Sequence, residues 1–72
     1  MSEKYTYFYE GETTLEFPTE VQVYTFQGTF LSEPENAFST AKMTIKEFDY
    51  PEATKMELPK GAFIIIKQLH RL

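Results

Sequence analysis

The chain has 72 residues, no Cys, a single His (His70) and a single Asp (Asp49), so it has room for one domain, residues 1–72, and for neither a disulfide framework nor a Cys/His zinc site. Catalysis built on convergent His, Cys and carboxylate groups is short of its parts, and no catalytic residue, metal ligand or cofactor contact is assigned. The formal charge of −4 argues against direct contact with nucleic acid, where attraction to phosphate dominates affinity.

A domain this small buries only about 60% of its unfolded surface, so it depends on a good core, on self-association, or on both. Seven Phe and five Tyr supply large buried areas per residue. The longest apolar run, Ala62-Phe63-Ile64-Ile65-Ile66, is far short of the roughly 18–20 residues that cross a bilayer. Met1 to Tyr5 show no signal-peptide pattern, and a cytoplasmic location without membrane contact is expected.

Residues 3–9 alternate, with Tyr5, Tyr7 and Tyr9 on one face, and predict the first strand. Alternation resumes over 12–17. A three-residue loop, Tyr9-Glu10-Gly11, would fold these two runs into a hairpin that pairs Tyr5 with Leu15 and Lys4 with Glu16. Pro18-Thr19 breaks the pattern. Residues 20–31 predict a long strand, with Val21 and Val23 on one face and Tyr24, Phe26 and Phe30 on the other. Apolar side chains on both faces suggest a central or sandwiched position. Gly28 marks a bulge or a close backbone approach.

Ser32 and Glu35 match a capping box, and Pro34 suits a first helical turn. Phe38, Ala41, Ile45 and Phe48 approximate a helical stripe, but Ser39, Thr40 and Thr44 are weak helix formers. The reading adopted is a loop or one helical turn at 33–38, with room for one short helix near residues 33–42, then a strand at about 40–48. A helix over 33–46 competes with it. Asp49-Tyr50-Pro51 ends that element, and residues 53–58 form a short strand or irregular edge. Pro59-Lys60-Gly61 predicts a turn. Residues 62–69 predict the last strand, with Ile64 and Ile66 on one face and Phe63, Ile65 and Leu69 on the other. The expected fold is mainly β, a small antiparallel sheet or barrel-like roll of five to six strands.

Charge is unevenly spread. Residues 1–36 hold seven Glu against Lys4, giving −6; residues 37–72 hold five Lys and Arg71 against Glu47, Asp49, Glu52 and Glu57, giving +2. Glu10, Glu12, Glu16 and Glu20 all fall on even positions. In a continuously extended chain they would form one row at a spacing close to that of nucleic-acid phosphates. The turn at Gly11 and the break at Pro18 interrupt that row. The Tyr stripe reads first as a face packed on the core, because an aromatic platform for bases would come with a positive groove. Glu47, Asp49, Glu52 and Glu57 lack the pattern of a calcium loop. The apolar run at 63–66 needs cover on both faces, from a closed barrel or from a second subunit.

These features favour a stand-alone, acidic interaction module that acts as inhibitor or adaptor by occlusion, a class to which phages and mobile elements contribute. The expected partner is a protein with a basic surface. The expected contact is Tyr5, Tyr7 and Tyr9 with Glu10, Glu12 and Glu16: Glu to steer, Tyr to anchor. A DNA-mimic inhibitor of a nucleic-acid-binding protein and a homo-oligomeric structural subunit are the alternatives.

Overall fold

The middle of the fold is one long strand, β1 (Tyr5–Glu16), which runs straight through Gly11. In the computed structural model, which describes residues 3–72, it pairs antiparallel on one side with β2 (Val21–Ser32) and on the other with β3 (Phe63–Arg71). Met1 and Ser2, at the head of the stretch without a signal-peptide pattern, lie outside the described residues. The sheet order is β2-β1-β3. The fold is therefore mainly β with a three-stranded sheet, fewer than the five to six strands expected.

No turn forms at Tyr9-Glu10-Gly11. Tyr5 faces Ser32 and Leu15 faces Gln22, so β1 spends its apolar face on β2 rather than on itself. The hairpin turns at Phe17–Glu20 instead, where Phe17 and Glu20 exchange backbone hydrogen bonds of 2.8 and 3.3 Å. Pro18, with its fixed φ, occupies the first of the two loop positions. The physical reason for glycine at position 11 is crowding. A Cβ there would stand 2.6 Å from Ile45 Cδ1 and 3.0 Å from the Ile65 carbonyl oxygen.

β2 keeps the expected facing, but it is an edge strand and not a central one. Tyr24, Phe26 and Phe30 turn inward and half-bury, while Val21 and Val23 stay exposed. Gly28 is a close approach: the Tyr9 ring lies across it, within 3.2–3.5 Å of where a Cβ would be.

Residues 40–48 form helix, not strand. A 3₁₀ turn (Pro34–Asn36) leads into α1 (Ala37–Thr44), a π-helical segment (Ile45–Asp49) and α2 (Tyr50–Thr54). Tertiary burial overrides weak propensity here. Ala37, Ala41 and Ile45 recur every fourth residue and are buried, as is Tyr50. The Thr44 hydroxyl donates back to the Thr40 carbonyl at 2.7 Å, which keeps that polar group satisfied inside the helix. The helical segment starts from Glu33 and not Ser32, and the Glu33 side chain makes no cap hydrogen bond. The Ser32 hydroxyl donates to the Glu33 carbonyl at 2.8 Å and lies 3.3 Å from Thr40 Oγ1. Pro51 does not end the element either. The Tyr50 N–H reaches five residues back to the Ile45 carbonyl, and this wider π turn makes room for a ring that a regular α-helix would not accept. The helix stops at Lys55, in the left-handed region (φ 63°), so residues 53–58 form no strand.

The Pro59-Lys60-Gly61 turn is present: the Ala62 N–H reaches the Pro59 carbonyl at 3.3 Å, and Gly61 takes φ 87°. In β3 the alternation is broken. Gln68 stands opposite Glu10 and Ile66 opposite Gly11, which makes Lys67 an extra residue, a β-bulge. The bulge moves Leu69 onto the same face as Ile64 and Ile66, not the face of Phe63 and Ile65.

The helical segment lies across one face of the sheet. Tyr9, Ala41 and Ile45 form the buried centre, with Phe26, Phe30, Ile64, Ile66 and Leu69 packed around them. Tyr7 stacks on Phe30 (ring centroids 5.8 Å apart), and Tyr24 meets Tyr50 edge-on at 5.5 Å. Among the described residues, nothing covers the other face. The molecule is elongated, 48 × 20 × 18 Å, as a twelve-residue hairpin of about 40 Å dictates.

Candidate protein-interaction surface

Because side chains alternate along β1, its uncovered face is set by the even positions. Glu10, Glu12, Thr14 and Glu16 follow one another along it, with no turn between them. Residues two apart on one face are separated by about 6.8 Å. Lys67, turned outward by the bulge, places its Nζ 3.5 Å from Glu12 Oε1. Its side chain is 53% exposed, so the pair contributes little to stability.

Apolar side chains flank the carboxylates. At one end Val21 and Val23 on β2 and Phe63 and Ile65 on β3 are 48–60% exposed, a group that a water-facing sheet does not need. They share a face because Val21 pairs with Glu16, Val23 and Phe63 with Thr14, and Ile65 with Glu12. At the other end Phe8 lies against His70 (centroids 5.2 Å apart), and Leu31 is exposed. The surface therefore interleaves the two kinds of group: Glu10 and Glu12 lie between the Phe8 end and the Val23–Phe63 row, and Glu16 lies beyond that row.

The structure divides the six residues expected to make contact. Glu10, Glu12 and Glu16 stand on the open face. Tyr7 and Tyr9 point the opposite way, beneath the helix, 8% and 2% exposed, and present no ring to a partner. Tyr5 is half-buried on that same side: its hydroxyl donates to Glu3 at 2.6 Å, and the Arg71 guanidinium lies 3.9 Å over its ring. Odd and even positions of one strand point to opposite sides of the sheet, so the Glu row and the Tyr stripe do not form one surface. The apolar members of the open face were legible as alternation in β2 and β3. Their union with the Glu row was not, because it follows from strand pairing.

The covered side holds one polar contact that ties sheet to helix. The Tyr9 hydroxyl donates to the Asp49 carboxylate, at the end of the π segment. Burial, then the Asp49 hydrogen bond and charge, raise the Tyr9 pKa well above the ordinary tyrosine value of 10.0. This pair ties the packing of the sheet to that of the helical segment. Two shallow, open depressions occur elsewhere, one lined by Lys46, Glu47, Pro51, Glu57 and Leu58, the other by the turn at Pro59–Ala62 with Leu15–Phe17 and Phe63. Among the described residues, no three of the His, Asp and Glu side chains gather as a metal site requires, and no helix is long and apolar enough to cross a membrane.

No family model matches the chain, and no curated protein or solved structure matches it.

Proposed function

We propose that this protein is a binding module that lays the open face of its sheet on a basic surface of another protein and acts by occupying that surface, without turnover. The observation that carries this reading is that Glu10, Glu12 and Glu16 stand on one open face, with Thr14 between the last two, among exposed apolar groups. Carboxylates steer a basic partner and set register, while Val23, Phe63 and Ile65 supply desolvated area. The test is charge reversal of Glu10, Glu12 and Glu16 to Lys together, followed by capture from a lysate of the source cell under low salt. A partner retained by the parent and lost by the folded variant supports the reading. An unchanged set of captured proteins rejects it.

The same row favours a second reading, a DNA-mimic inhibitor. With no turn at Gly11, Glu10 and Glu12 stand at a spacing near that of successive phosphates on a nucleic-acid strand, and Glu16 follows two such steps on, past Thr14. This reading requires that duplex DNA compete with the protein for its target and that the complex weaken steeply with salt. Binding that survives both excess DNA and high salt leaves only the first reading.

A further inference from the structure

The two edges of the sheet are treated differently. β3 is guarded: it is kinked by the bulge at Lys67 and ends in His70 and Arg71, the devices by which natural edge strands repel further pairing. β2 carries none of them. Its twelve residues, VQVYTFQGTFLS, include no charge and no Pro in a chain that is 25% charged. They pair with β1 in unbroken register at all twelve positions, so the strand has no bulge. Alternate residues along its outer side point N–H and C=O groups away from β1, where no strand among the described residues receives them. The folded chain also exposes 5222 Å², above the about 4,700 Å² expected of a compact monomer of its mass.

We infer that β2 is a homodimer interface, in which the β2 edges of two copies pair antiparallel about a two-fold axis. Geometry narrows the register. Directly opposite residues of an antiparallel pair share a face, so the axis must pass a residue that meets its own copy, and not between residues. With Phe26 at the axis, Tyr24 stands opposite Gly28 of the second copy, Thr25 opposite Gln27, Val23 opposite Thr29 and Val21 opposite Leu31. No charge meets a like charge anywhere along the strand. A two-fold axis through the sheet keeps both helical segments on one side, so the product is a six-stranded sheet ordered β3-β1-β2-β2-β1-β3. Its outer edges are the two guarded β3 strands, which closes the assembly at two copies. Its uncovered face carries the Glu row twice. The inference goes beyond the binding-module reading and does not depend on it.

The test is molar mass by light scattering over a concentration series from about 1 μM to about 1 mM, for the parent and for two variants. In one variant Thr25 and Gln27, both exposed, become Lys (T25K/Q27K); in the other they become Glu (T25E/Q27E). The expected parent species has twice the 8.5 kDa chain mass, and each variant alone is a folded monomer by circular dichroism. Mixing the two variants restores a heterodimer, because the ammonium groups introduced on one chain then stand opposite the carboxylates introduced on the other. A parent that stays monomeric throughout overturns the inference. A T25K/Q27K chain that still dimerises places the contact elsewhere and overturns it too. Failure of either kind leaves the capture experiment on Glu10, Glu12 and Glu16 unaffected, since those residues lie on β1.

Discussion

Tyr9 and Asp49, forty residues apart, are joined by a hydrogen bond from the tyrosine hydroxyl to the carboxylate, which pins the centre of the sheet to the π segment. Replacing Tyr9 by Phe removes the donor and leaves a part-buried carboxylate without it, a change that costs about 1–3 kcal/mol. The effect depends on pH. The folded state holds the Tyr9 proton more tightly than the unfolded chain, so the stabilisation is fully present below the ordinary tyrosine value of 10.0 and is lost as pH rises beyond it. Urea midpoints of the parent and the Phe variant, compared at neutral pH and above pH 10.0, should converge at the alkaline end.

Gly11→Ala should destabilise the fold by about 1–3 kcal/mol, because the new methyl overlaps Ile45 Cδ1 and crowds the Ile65 carbonyl. Ile45→Val removes that Cδ1. The double variant should therefore recover part of the loss, and the coupling read from a double-mutant cycle by chemical denaturation should be stabilising. Simple additivity would show that the crowding at Gly11 lies elsewhere.

Thr13 is fully buried at the middle of β1, between Tyr24 and Ile64, and its hydroxyl has no hydrogen-bond partner among the described residues. Thr13→Val keeps the shape and removes the orphaned group. The expected gain is about 1 kcal/mol, seen as a higher melting temperature with an unchanged denaturant slope.

Deleting Lys67 removes the extra residue and lets β3 run in plain alternation, with Ile66 still opposite Gly11 and Gln68 still opposite Glu10. Leu69 then stays on the core side, so the shortened chain should fold with the same aromatic near-ultraviolet signal. It also loses the kink and the outward Lys from the β3 edge. Light scattering should detect association beyond that of the parent, since an unguarded edge is free to pair.

Local chemistry carried part of the architecture. The facing of β2, the turn at Pro59–Gly61 and the strand that follows it all come from alternation and turn residues that act within a few positions. The helix over 37–54 was weakly marked, because Thr40, Thr44 and Pro51 argue against it one residue at a time. Burial of Ala41, Ile45 and Tyr50 against the sheet outweighs them together. Gly11 misled for a related reason: a glycine wanted for space beside Ile45 looks the same in sequence as one wanted for a turn.

The candidate surface divides the same way. Sequence alone determined that Tyr5, Tyr7 and Tyr9 share a face and that Glu12 and Glu16 share one, because side chains along a strand repeat every second residue; Glu10 joins Glu12 and Glu16 only because β1 runs on through Gly11. Only the tertiary structure decided which face the helix covers, that Phe63 and Ile65 lie beside the Glu row, and that β2 is left with an unguarded edge. These outcomes depend on pairings between residues tens of positions apart, and no local propensity encodes which distant strand or helix will win that contact.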